Sequence, residues 1–166
     1  MEKQIIYKKI TDIKPYEKNP RKNDDAVEAV SNSIKEFGFK VPIVIDKNGI
    51  IVAGHTRYKA SKKLGIDTIP CIVADDLTDE QIKAFRLSDN KVSEAAEWDF
   101  NLLSLELKDL KEHDFDLGLT GFNIDEIDSL LSTNEDIEDN DYEEQDLKEN
   151  STQLHKCPEC GCEFED

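Results

Sequence analysis

Residues 41–60 run "VPIVID", then "KNG", then "IIVAGHTRYKA", and this block restricts the fold more than any other stretch. Two short runs rich in Ile and Val flank an Asn-Gly signal, the pattern of two strands joined by a tight turn. The second run ends at Gly54, and a helical pattern starts at once with His55, Thr56 and Arg57. A glycine between strand and helix lets the backbone approach a ligand closely. The first turn of a helix leaves N–H groups without partners, and its dipole favours an anion. Thr56 adds a hydroxyl and Arg57 a planar fork suited to phosphate. An ordinary turn, with Thr56 or His55 as the helix cap, accounts for the same residues equally well.

The rest of the chain builds outward from that block. "QIIYKKI" (4–10) reads as a strand and "TDIKPYEKNPRKND" (11–24) as a loop. A helix follows, with Asp24 as N-cap, an apolar stripe of Val27, Val30, Ile34 and Phe37, and Gly38 as the stop. Gly65 closes the helix that begins at His55, and "TIPCIVA" (68–74) is the next strand. Thr78 and Gln81 form a capping-box signal for a long helix. A further helix covers about 99–112, and a small one lies within 121–131 with Asn123 and Glu126 as cap partners. The order β–α–β–β–α–β followed by helices predicts an α+β fold: a small mixed-sheet domain with a helical extension.

Charge divides the chain. Residues 1–66 carry 14 basic and 8 acidic side chains, whereas residues 101–166 carry 4 basic and 21 acidic ones, which holds the whole net charge of −17. A mildly basic head can meet a phosphate; the acidic tail repels nucleic acid or competes for the head's basic groups. "NEDIEDNDYEEQDLKEN" (134–150) lacks the apolar content for a core and reads as a disordered linker. The expected divisions are 1–97 for the α+β domain, 98–132 for the helical extension, 133–154 for the linker and 155–166 for the tail.

That tail, "HKCPECGCEFED", contains Cys-Pro-x-Cys-Gly, a zinc-knuckle pattern in which Pro and Gly shape a turn that directs both thiolates at one ion. A structural zinc site takes four ligands. Cys157 and Cys160 are the first two candidates, with Cys162 and His155 as third and fourth, or with a second chain completing the set. Cys71 stands alone in a strand and reads as a buried small hydrophobe. The apolar runs are too short to span a bilayer and no secretory signal is apparent at Met1–Lys3, so a cytoplasmic protein without membrane contact is expected.

Two further segments bear on the Gly54 junction. "KNPRKND" (18–24) brings Arg21 and two lysines just ahead of a helix, and "LSDNKVSE" (87–94) sets Asp89 and Asn90 in a helical run. A solvated basic loop and a helix end explain them as readily. In their order, however, the three segments resemble the N-terminal domain of the ParB/sulfiredoxin superfamily over about residues 4–95. In that superfamily the Gly-x-x-Arg box binds nucleotide phosphates, which the resemblance carries to Gly54, His55, Thr56 and Arg57. Asn19 and Arg21 match its upstream Asn-Pro-Arg. Asp89 and Asn90 match the pair that helps place phosphate and Mg²⁺ in CTP-binding members.

Sulfiredoxins carry a cysteine in the box; His55 stands there instead, which argues against sulfinic-acid reduction. The resemblance is greatest to the ParB-like nuclease domains of phages and mobile elements, which often accompany DNA methyltransferases. It implies a protein that binds a nucleoside triphosphate with Mg²⁺, or DNA, and acts in DNA modification, partition or regulation, with a homodimer as one possible assembly. An enzyme of phosphate chemistry is the alternative: an NTPase, small-molecule kinase or nuclease with His55, Asp89 and Asn90 as catalytic groups. A third reading is an acidic adaptor that binds a protein such as a methyltransferase through its tail. No basic recognition helix is visible after residue 97.

Overall fold

The computed structural model describes residues 4–132 and the backbone of Leu154–Lys156 and Glu163–Glu165. The chain divides into one unit ending at Thr133 and another beginning at Asn134.

Four strands form the sheet of the first unit: β1 (Ile5–Lys9), β2 (Ile43–Ile45), β3 (Ile51–Ala53) and β4 (Thr68–Val73), in the order β1-β4-β2-β3. β1 pairs antiparallel with β4, β4 parallel with β2, and β2 antiparallel with β3. The strand-rich block thus does form a hairpin. Its turn is held by the Asp46 carboxylate, which accepts from the N–H groups of Asn48 and Ile50, both at 2.8 Å. Gly49 has φ +77°, and a Cβ there would lie 2.7 Å from the Asp12 carbonyl oxygen, so the turn needs glycine for space as well as for backbone conformation. β-branched side chains fill the core: Ile13, Ile43, Ile45, Ile51 and Ile69 pack together with Cys71, each at most 2% exposed. Each such burial stabilises by about 1.5–3 kcal/mol.

The helices are α1 (Val27–Phe37), α2 (His55–Lys63), α3 (Asp79–Ser93), α4 (Phe100–Glu112) and α5 (Ile124–Ser132). α1 packs on α2 and α3 on β3. The Thr78–Gln81 capping box forms in both directions, as does the reciprocal pair of Asn123 and Glu126. Asp99 caps α4. Asp24 does not cap α1. The helix begins three residues later behind Ala26, without a side-chain cap, and the Asp24 carboxylate instead meets Lys59 Nζ at 2.6 Å. Asp89 and Asn90 do not end α3; Asn90 Nδ2 donates back to the Arg86 carbonyl at 2.7 Å, a bond along the helix that accommodates it there.

α4 and α5 pack on each other through buried Leu107 and Ile127, with Ser104 Oγ donating to the Leu130 carbonyl at 2.9 Å. Phe115, beyond α4, stacks on Phe37 of α1 with ring centroids 6.1 Å apart. In the second unit β5 (Leu154–Lys156) and β6 (Glu163–Glu165) pair antiparallel, with Lys156 opposite Glu163. Cys157, Cys160 and Cys162 lie outside the described residues, and His155 is described only as backbone within β5.

Candidate functional site

At the end of β3 the chain turns sharply into α2. Gly54 makes that turn with φ +101° and ψ 28°, a left-handed conformation that side chains rarely adopt. A Cβ at Gly54 would meet Ile43 Cγ1 at 3.2 Å and Arg57 Nε at 3.5 Å. No side chain caps α2, and no carboxylate sits in its first turn. The start of the helix therefore keeps its positive end without an internal counter-charge.

A cavity of about 660 Å³ opens there. Gly54, His55, Thr56 and Arg57 line it from α2 and its approach, Asn19 and Arg21 from the long loop, and Asp89 and Asn90 from α3. All eight residues singled out from sequence around the junction thus border one space, although they come from three separate segments. Its lining also includes apolar side chains, Val30, Ile34 and Phe37 of α1 and Phe39 and Val41 beyond it.

Hydrogen bonds tie the three segments together. Arg21 Nη1 donates to Asn90 Oδ1 at 3.0 Å and to its carbonyl oxygen at 3.3 Å. Asn23 Nδ2 donates to Thr56 Oγ1 at 2.8 Å, while Asn23 Oδ1 accepts from Lys59 Nζ at 2.9 Å. The loop is therefore fastened to α2 on one side and to α3 on the other. Arg57 is engaged differently from what the spacing alone suggests. Its Nη1 donates to the carbonyls of Val41 at 2.8 Å and Pro42 at 3.0 Å, so it braces the apolar wall of the cavity. Burial lowers its pKa from the ordinary arginine value, and the Asp89 carboxylate opposes that shift.

His55 is also held. The Tyr16 backbone N–H donates to its Nε2 at 3.3 Å. Burial, with the positive charges of Arg86 and Lys59, lowers its pKa below the usual value of 6.5. The imidazole is therefore neutral at pH 7 with Nε2 as acceptor, which puts its one proton on Nδ1. A group already bonded through Nε2 and resistant to protonation is poorly suited to exchange protons as a general acid.

Sequence reading missed Asn23, Lys59, Tyr16 and Arg86. Lys59 was legible as a charge one helical turn from His55; the other three act over distances that local patterns do not encode.

A sequence profile described as the ParB N-terminal domain matches residues 1–91, more than half of the chain. This chain belongs to the ParB N-terminal domain family. A second profile, described as the ParB-methyltransferase HTH domain, matches residues 101–153 and so takes in α4 and α5. α4 carries Lys108 and Lys111 beside Glu106, Asp109 and Glu112, and α5 carries three carboxylates and no basic side chain. The helix-turn-helix profile thus matches the stretch in which the sequence offers no basic recognition helix. The ParB-like nuclease domain-containing protein YnaK of Escherichia coli K12 is 40% identical over 79 residues, spanning 47% of this chain and 91% of that protein. Stage 0 sporulation protein J of Bacillus subtilis is 34% identical over 87 residues, 49% of this chain but only 30% of its own length. The matched segment therefore corresponds to about a third of that protein's length. The C-terminally truncated chromosome-partitioning protein ParB from Caulobacter crescentus, solved with CTP-γ-S, shares the fold with a TM-score of 0.64 over 76% of both chains at 22% identity.

Proposed function

We propose that this ParB-family protein binds the polyphosphate of a nucleoside triphosphate in the cavity at the start of α2. One observation carries the reading: Arg21, the uncapped helix start at Gly54–Arg57, and Asp89 converge on one space from three segments. Phosphate would sit against the first-turn N–H groups and accept from Arg21 and Thr56. The apolar wall of Val30, Phe37 and Phe39 would face the nucleoside. That a ParB relative of this fold was solved with a CTP analogue supports the reading and suggests CTP as the first ligand to try.

Mg²⁺ fits this arrangement through Asp89. Mg²⁺ usually takes one or two carboxylates together with phosphate oxygens and water. The Asp89 carboxylate is exposed and has no hydrogen-bond partner among the described residues, whereas Asn90 Oδ1 already accepts from Arg21. The ion would neutralise phosphate charge and orient the triphosphate. Binding without turnover is the reading favoured by His55, whose Nε2 is occupied by the Tyr16 N–H. DNA binding, assembly as a dimer and work beside a DNA methyltransferase of a mobile element extend this proposal. Zinc at Cys157, Cys160, Cys162 and His155 is a separate part of it, resting on the Cys-Pro-x-Cys-Gly pattern.

Calorimetry with CTP, ATP, GTP and UTP, each with and without Mg²⁺, tests the central claim. Saturable binding of at least one, strengthened by Mg²⁺, is expected. No heat and no thermal shift with any of the four at millimolar concentration rejects it. Metal content of the purified chain by mass spectrometry tests the zinc site, where one zinc per chain or per pair of chains is expected.

A further inference from the structure

Arg86 is the only charged residue other than Asp46 among the described buried side chains, at 7% exposure, and it projects from the middle of α3. Among the described residues no carboxylate lies within ion-pair distance of it. Its Nε donates to the Ile51 carbonyl of β3 at 3.1 Å, and its guanidinium carbon lies 3.8 Å from the centre of the Tyr16 ring. A desolvated guanidinium over an aromatic face is a directional contact, so it fixes the ring as well as the cation. Tyr16 in turn donates its backbone N–H to His55 Nε2. On the other side, the Arg86 carbonyl accepts from Asn90 Nδ2, and Asn90 Oδ1 accepts from Arg21.

We infer that Arg86 is a positioning residue for the nucleotide site: through its stack on Tyr16 it sets the ring of His55, while its main-chain carbonyl, which any residue at that place would supply, holds Asn90. The inference rests on the nucleotide reading for its role in binding, but the coupling to His55 exists without ligand. A buried cation with no carboxylate partner among the described residues is a costly device for stability alone, since an apolar residue would pack as well. Its position makes sense where a fixed positive charge and a fixed tautomer serve an anion site. The charged groups facing His55 are Arg86 from α3 and Lys59 from α2, and both oppose a proton on the ring.

Imidazole nitrogen NMR of His55, assigned with His55→Gln, and calorimetry with Mg²⁺ and CTP test this together. In the wild type His55 shows one tautomer, with the proton on Nδ1, and stays neutral as pH falls below 6.5. Arg86→Gln removes the charge, so His55 takes a proton at higher pH. Arg86→Lys keeps a charge but loses the planar stack, and Tyr16→Leu removes the ring while keeping the backbone N–H. In both, the two tautomers mix and CTP binding weakens roughly tenfold. A merely structural role would lower the melting temperature and leave tautomer and titration as in the wild type, and that result overturns the inference. If Arg86→Gln does not fold, the tautomer in Arg86→Lys and Tyr16→Leu decides. If the wild type binds no nucleotide, the nucleotide reading fails, while the His55 spectra still decide whether Arg86 positions it.

Discussion

Arg21 Nη1 donates to both the side-chain and the main-chain oxygen of Asn90, joining residues 69 apart in sequence. The bond links the basic loop to α3, both of which line the cavity, and its acceptors are neutral. A phosphate oxygen would accept the same donor more strongly, because it sets a negative charge opposite the guanidinium and matches its planar fork. Arg21 is therefore placed to exchange one partner for another without moving far.

Arg21→Ala should weaken Mg²⁺–CTP binding by about 10- to 100-fold, the range for one or two charge-assisted bonds. Arg21 is exposed, so the melting temperature should change by no more than about 2 °C. Titration calorimetry beside a thermal melt separates the two effects. Equal affinity in the variant would remove Arg21 from the site.

Gly54→Ala puts a methyl group against Ile43 in a backbone conformation with φ +101°. Destabilisation of about 1–3 kcal/mol is expected, the usual cost of holding a non-glycine residue in such a region. Urea unfolding monitored by circular dichroism measures it. A variant as stable as the wild type would mean that the turn relaxes.

Arg57→Ala removes the donor that holds the Val41 and Pro42 carbonyls. Amide exchange measured by mass spectrometry should quicken in a peptide covering residues 38–44. Arg57→Lys should restore only part of the protection, because a lysine lacks the planar fork. Unchanged exchange in Arg57→Ala would show that this wall stands without the brace.

The low pKa of His55 makes stability depend on pH in a fixed direction. The unfolded chain takes a proton near pH 6.5, while the folded one resists it. Stability from this group is thus complete above about pH 6.5 and declines as pH falls from there through the lower folded value. His55→Gln, which keeps a side-chain acceptor in reach of Tyr16, should flatten that part of the profile. Denaturant midpoints from pH 7.5 to 5 compare the two proteins; identical slopes would mean that His55 charges freely in the fold.

Local signals in the sequence translated well into structure where the physics is local. The Asn-Gly turn, the Thr78–Gln81 box and the Asn123–Glu126 pair involve neighbours a few residues apart, and each forms. Asp24 shows the limit of the same reasoning. Its type and place suit a helix cap, but Lys59, 35 residues away, takes its carboxylate. The eight residues around the cavity were grouped by resemblance, and only the fold brings their segments together. Arg86 was illegible for a simple reason. In "AFRLSDN" it looks like an ordinary solvated arginine of a surface helix, and nothing nearby announces that Tyr16 and Ile51 will meet it.

The hairpin strand β3 ends the sheet, and Ile51 shows how that border is finished. Its N–H donates to the Lys14 carbonyl at 2.9 Å, and its own carbonyl accepts from Arg86. Lys14 also donates to Gly49 at 2.9 Å. An open strand would be a template on which a second chain could pair and begin to aggregate. Here the main-chain groups of the border residue are already taken by a loop and by a side chain. The arginine inferred to position His55 thereby also covers a main-chain acceptor at this border, so its loss is expected to raise turbidity in concentrated solution as well.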